Sequence, residues 1–368
     1  MNFVLILGVI LLTYVIFHVF ACFSVLRFFA VSNSSAKKAV IAAFVLLGVS
    51  FFAAIFLYHY RDNFFTRQFY FLSGLWIGFL INLVLFFMIA WLAAVTFRFS
   101  GVEKNNKLIA SLAIAAATAF SIYGIWNAFN PVVKRISVDI ENLPENWSGK
   151  KIVHISDAHL GHVYGNSHLR EIVGKINALK PDIIAITGDL FDQIEENFDI
   201  FAESLGELKS EKGIFYVTGN HETYLGKERI LAAARKAGMI ALQDEARMLE
   251  GLQVIGIDYP DRMDTKDIAG VIGKIDGFDA QKPSVLLWHT PSHVEEIKRA
   301  GIDLQLSGHA HKGQIFPFGF ITAAVFKGYD YGLKREGNFS IYTTSGVGTW
   351  GPAMRTQKRS EIVEITLR

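Results

Sequence analysis

The chain predicts an α-helical membrane region followed by an α/β domain, and three observations lead there. Four stretches free of charged residues, 1–26, 39–60, 68–97 and 108–133, succeed one another in the first third of the sequence. The charge balance then changes: residues 1–130 hold eight Lys/Arg against two acids, leaving 28 of the 36 bases and 32 of the 34 acids to residues 131–368. From residue 132 onward, strand-like and helix-like patterns alternate to the end of the chain. The expected division is therefore a four-helix transmembrane region at 1–130 and a second domain at 131–368.

Each apolar stretch is long enough to cross the hydrocarbon core, which takes about 20 residues in a helix. None shows a polar face, which argues against a soluble bundle. The third is the longest and is expected to tilt. Gly74 and Gly78 form a Gly-x-x-x-Gly pair able to seat a neighbouring helix. The first stretch has no basic leader and exceeds a cleaved signal in length, so it reads as a retained helix. Cys22 is the single cysteine, which excludes an intrachain disulfide and fits a thiol within the membrane. The loops after the first and third stretches carry Arg27, Lys37, Lys38, Arg98, Lys104 and Lys107, against Arg61, Arg67, Lys134 and Arg135 on the other side. That bias places the first set in the cytoplasm and the second domain outside it. His18 and His59 are the ionisable side chains within the stretches, which gives a transport pathway little support.

In the second domain, strands are expected at 132–140, 151–156, 182–187, 213–218, 252–258, 284–289, 303–307, 339–344 and 362–367. Helices are expected at 167–179, 198–209, 227–237 and 292–300. The run at 182–187 is apolar from Ile183 to Ile186, as in a strand buried on both faces. An acidic balance without clustered Lys/Arg excludes a broad nucleic-acid surface.

Five polar signatures punctuate this pattern: Asp157-Ala158-His159, Gly188-Asp189, Gly219-Asn220-His221-Glu222, Trp288-His289 and Gly308-His309-Ala310-His311. Each lies at or just past the carboxyl end of an expected strand, the edge where open α/β sheets gather ligands. Taken singly, Asp157 or Asn220 would pass for a helix cap and His289 for a core histidine. Seven such donors at strand ends make a common site the better reading. Asp157 and His159, like His309 and His311, are two apart, so an extended backbone would point each pair the same way. Carboxylate, amide and imidazole donors without thiolate suit two divalent ions such as Mn, Fe or Zn. Two adjacent divalent ions form a device for attacking phosphorus esters.

In that order, the five signatures resemble the calcineurin-like metallophosphoesterase superfamily. Residues 132–368, including Gly348-Thr349-Trp350-Gly351-Pro352, are similar to its bacterial membrane-associated branch, whereas residues 1–130 share none of the resemblance. The resemblance implies a four-layer αββα sandwich on a bacterial cell membrane. It also implies that Asp157, His159 and His311 hold one metal, that Asp189 bridges both, and that Asn220, His289 and His309 hold the other. A metal-bridging hydroxide would then attack phosphorus, with His221 donating a proton to the leaving oxygen or stabilising its charge. Asp192 matches the position that orients this histidine, and Glu222 is the alternative.

The expected function is hydrolysis of phosphomonoesters or phosphodiesters, with lipid-linked or envelope phosphates and the bilayer as partners. One alternative is cleavage of the pyrophosphate of a nucleotide-linked lipid such as UDP-diacylglucosamine, which requires a cytoplasmic site. Another is a metal-binding interaction module without catalysis. The aromatic segment at 316–321 reads first as a hairpin packed on the domain's core and second as a lipid-contacting loop. Lys312, Gln314 and Arg355 are candidate phosphate contacts.

Overall fold

A computed structural model describes residues 3–100, 105–192, 198–260 and 266–368. Glu103 and Lys104, counted among the loop charges, lie outside them. Four helices come first: α1 (Phe3–Phe28), α2 (Ser34–Tyr60), α3 (Phe64–Phe99) and α4 (Asn106–Phe129). All four are long and apolar enough to cross a membrane. Asn33 caps α2 by accepting from the Ala36 N–H, and Asn63 forms a capping box with Thr66 at the start of α3. The first cap starts α2 ahead of the expected 39, drawing Lys37 and Lys38 into its first turn. The helix α4 stops at Phe129 rather than continuing to 133, because Pro131 can neither donate a backbone bond nor follow a helical residue comfortably.

The second region runs β1 (Val132–Val138), β2 (Lys151–Ile155), α5 (Asn166–Ala178), β3 (Ile183–Thr187), α6 (Asp199–Gly206), β4 (Ile214–Val217), α7 (Asn220–Leu225), α8 (Lys227–Lys236) and β5 (Ile240–Ala241). It continues through β6 (Glu245–Leu249), β7 (Leu252–Gly256), α9 (Ile268–Ile272), β8 (Ser284–Leu287), α10 (Val294–Arg299) and β9 (Leu304–Ser307). It ends with α11 (Gly319–Val325), β10 (Gly332–Glu336), β11 (Phe339–Thr343) and β12 (Glu361–Leu367).

These strands form two mixed sheets, ordered β1-β12-β2-β3-β4-β5 and β10-β11-β9-β8-β7-β6. Strand alternation decides how they stack. Ile183 and Ala185 of β3, and Phe215 and Val217 of β4, join Val285 and Leu287 of β8 and Leu304 and Leu306 of β9 in one buried cluster between the sheets. The intervening Ile184, Ile186 and Tyr216 face outward to Ile172, Phe201 and Ile230 of the helices. On the opposite side, Ile255 and Leu286 meet Ile272 and Ile297. The domain is thus an αββα sandwich. The central strands β2, β3 and β4 pair in parallel, as do β7, β8 and β9, so their carboxyl ends share an edge within each sheet.

Sequence patterning missed β5, β6, β10, α7, α9 and α11. The strands β6 and β10 border the second sheet and carry charge on their half-exposed faces, which hides the usual apolar signal. The segment expected as a hairpin at 316–321 enters α11 instead, where Ala323 and Ala324 favour helix.

Two compact units emerge, Met1–Trp126 with Gly351–Thr356, and Asn127–Trp350 with Gln357–Arg368. In the first, Leu80, Leu83 and Phe87 of α3 pack with Ala21, Phe28 and Ala117. Gly74 and Gly78 seat Gly351–Thr356 rather than a helix: a Cβ on Gly78 would stand 3.0 Å from Met354 Sδ. Arg355 is fully buried, and its backbone N–H donates to Gly124 O at 2.8 Å. His18 accepts from Trp76 Nε1 at 3.0 Å, a structural use of a membrane histidine.

Candidate metal centre

All seven donors gather where β2, β3, β4, β8 and β9 end. The local backbone differs from the extended path expected for the two-apart pairs. Asp157, His159, Asp189, His309 and His311 all adopt positive φ, between 46° and 66°. Left-handed turns immediately after each strand, not strand pleating, therefore aim these side chains inward. Asp and His tolerate that conformation better than most non-glycine residues.

Close approach of the loops depends on glycine. Gly188 has φ 85°, and a Cβ there would lie 2.6 Å from Gly219 N and 2.7 Å from His289 Nδ1. Glu222, fully buried, ties two loops together by accepting from the N–H groups of Asp189 (2.9 Å), Leu190 (2.8 Å) and Gly219 (2.6 Å). One Asp157 oxygen accepts from the His309 N–H at 3.0 Å, and Asp189 Oδ1 accepts from the His221 N–H at 2.9 Å. Each carboxylate thus keeps its place through a bond to a different loop.

Three clusters result, each with donor atoms lying within 4.8 Å of one another: Asp157–His159–His311, His159–Asp189–His221 and Asp189–His289–His309. His311 Nε2 stands 3.3 Å from Asp157 Oδ1 and 3.2 Å from His159 Nε2. His289 Nε2 stands 3.3 Å from Asp189 Oδ2, 3.2 Å from Asn220 Oδ1 and 3.2 Å from His309 Nδ1.

Protonation follows from these contacts. His289 Nδ1 donates to the Thr187 carbonyl at 2.7 Å, because a carbonyl only accepts. Its Nε2 then faces two acceptors, Asp189 Oδ2 and Asn220 Oδ1, an arrangement relieved by a proton or by a cation. Burial works against protonating His289, yet Asp189 outweighs it and lifts the pKa to about 9. Burial likewise raises Asp189, but His289 overrides it and holds this carboxyl well below the usual range. Burial pushes Asp157 up to about 6 and His309 down to about 3. The donor set fits divalent cations on chemistry alone: only oxygen and imidazole nitrogen, with an oriented second nitrogen on His289.

His221 sits beside these groups, its ring 4.6 Å from that of His159 and its Nε2 4.0 Å from Asp189 Oδ2. Burial lowers its pKa. Its Nδ1 is buried without a hydrogen-bond partner, so no hydrogen bond from that atom reaches Asp192. The chain beyond Asp189 pairs back on Leu160 instead, through the Leu160–Phe191 bridge and the Asp192 N–H to Leu160 O bond of 2.9 Å. Glu222 is committed to backbone amides and does not serve either. Among the candidate phosphate contacts, Lys312 pairs with Asp330 at 2.9 Å, and Gln314 bonds the Trp350 backbone in both directions at 3.0 Å. Sequence reasoning offered Glu222 only as the alternative to Asp192; its place three residues after Gly219, at the start of a helix, is the signature of a capping residue.

The sequence model of calcineurin-like phosphoesterases matches residues 150–313. An uncharacterised metallophosphoesterase of Campylobacter jejuni is 32% identical over 343 residues, covering 89% of each chain. One from Helicobacter pylori is 36% identical over 251 residues, covering 66% of each. A bovine transmembrane protein with metallophosphoesterase domain is 30% identical over 368 residues, covering 90% of this chain and 80% of its own.

Proposed function

The chain belongs to the calcineurin-like phosphoesterase family, and on that premise we propose that it is a membrane-anchored hydrolase of phosphomonoesters or phosphodiesters that uses two divalent metals. The observation that supports this reading is the convergence of oxygen and imidazole nitrogen atoms at 3.2–3.3 Å around His289 and His311, a donor set and spacing that fit divalent cations. Asp157, His159 and His311 would hold one ion, Asn220, His289 and His309 the other, with Asp189 between them. Bound there, manganese, iron or zinc would activate water and offset phosphate charge.

The remaining steps belong to protein groups. With Nδ1 of His221 buried and unpartnered, the cheaper tautomer leaves a lone pair there and carries the proton on Nε2. That atom faces the cluster and is placed to hydrogen-bond a leaving oxygen. Its lowered pKa favours the neutral ring, so it stabilises the developing charge as an N–H donor. The loop-charge bias supports an extracytoplasmic site; a C-terminal reporter active only in the cytoplasm would reverse that assignment.

Purified full-length protein, stripped with EDTA and reloaded with manganese, tests the activity on p-nitrophenyl phosphate and bis(p-nitrophenyl) phosphate. Turnover that appears only after reloading, and that Asp189→Asn abolishes together with metal content, is the expected result. Stoichiometric metal with no turnover on either ester would favour the interaction module.

A further inference from the structure

The helix α11 turns an apolar stripe to solvent that the domain's own core does not explain. Phe320 is 69% exposed, Ile321 58% and Val325 64%, exposed Ala324 lies among them at i, i+1, i+4, i+5 spacing, and exposed Pro317 lies just ahead of the helix. Trp350 adds an exposed indole, at 56%, and its backbone is bonded to Gln314 just ahead of the helix. The inner face of α11 reaches the metal-ligand loop. Thr322 Oγ1 donates to Asp330 at 2.7 Å, Asp330 also pairs with Lys312 next to His311, and the Phe326 ring lies 5.9 Å from that of His309.

Chain continuity ties the domain to the apolar helices at two places. The domain's first strand begins at Val132, immediately beyond the Phe129 end of an apolar helix able to cross a membrane. Trp350 and Gln357 flank the six residues Gly351–Thr356, which pack with the apolar helices. Gln357 in turn donates its N–H to Gln314 O at 3.1 Å and lies against Gly319, the first residue of α11. Exposed Trp and Phe beside an apolar helical row match the membrane–water interface.

We propose that α11, through Phe320, Ile321, Ala324 and Val325 with Pro317 just ahead of it, docks onto the bilayer surface and holds the metal-ligand loop at the level of the lipid headgroups. Resting on the phosphoesterase reading above, this makes the substrate a phosphoester carried by a lipid. A nitroxide placed by Ile321→Cys in a Cys22→Ser background, with full-length protein in phosphatidylcholine–phosphatidylglycerol vesicles, tests the docking. The expected result is a several-fold higher ratio of oxygen to nickel-chelate accessibility at 321 than at Met248→Cys, an exposed site on β6. A water-like ratio at 321 overturns the proposal. So does spin–spin broadening at 321 that disappears on dilution with unlabelled protein, which would assign the stripe to a second copy of this chain. Turnover of p-nitrophenyl phosphate by the same preparation keeps the two readings apart: its absence removes the hydrolase and leaves the docking result standing.

Discussion

Replacing Gly308 with Ala should disable the centre without replacing any donor residue. Gly308 lies where the loop after β9 crosses the loop after β2. A Cβ there would lie 2.6 Å from Ser156 Cβ and closer still to Ser156 Oγ and Asp157 Oδ2. Comfortable carbon contacts need about 3.5–4.0 Å, so the Asp157 carboxylate must retreat by roughly 1 Å. That oxygen also accepts from the His309 N–H at 3.1 Å, and its shift is passed to a second candidate ligand. Forcing a methyl group into a packed interior costs about 1–3 kcal/mol. At about 2–4 °C per kcal/mol for a domain of this size, the thermal midpoint should fall by several degrees. Displacement of about 1 Å at a reacting site costs on the order of 100-fold in rate. Thermal unfolding in detergent, metal content by mass spectrometry and kcat on an aryl phosphate measure these effects together. Wild-type metal content and kcat in Gly308→Ala would refute the claim that Asp157 is held in a ligating position by this crossing.

Three further outcomes are expected. His221→Ala should lower kcat by about 100-fold or more while metal content holds; loss of metal with normal turnover per loaded molecule would remove the donor role. Glu222→Gln should orphan at least one buried N–H among Asp189, Leu190 and Gly219, costing about 1–3 kcal/mol, and an unchanged melting profile would show that these amides do not depend on the carboxylate. In EDTA, His289 contributes stability that is fully present below its unfolded pKa of about 6.5. That contribution is lost as pH rises through its folded value of about 9. The gap between wild type and Asp189→Asn in melting temperature should therefore be widest near pH 6 and narrow above pH 9; a gap that is constant across this range would contradict the pairing.

Much of the architecture could be read directly from residue patterns. Uninterrupted apolar runs admit few solutions other than membrane helices, and the strand expected at 182–187, apolar from Ile183 to Ile186, had to lie within a covered sheet. The donors were legible for a different reason: they recur at strand ends, and strands ending at a common edge bring distant loops together. Local chemistry was less legible. Asp157 and His159 converge through positive φ rather than through pleating, because loop crossings near Gly188, Gly219 and Gly308 impose turns that no periodicity announces. The Gly74–Gly78 seat receives Met354 instead of a helix, a contact between residues about three-quarters of the chain apart. Glu222 became a clamp on backbone amides, since only the fold brings the N–H groups of two loops to one carboxylate. Residue types and their order thus determined which elements and donors the protein has. Tertiary structure decided where each donor points and which neighbour sets its charge, because orientation and burial arise only once the loops have met.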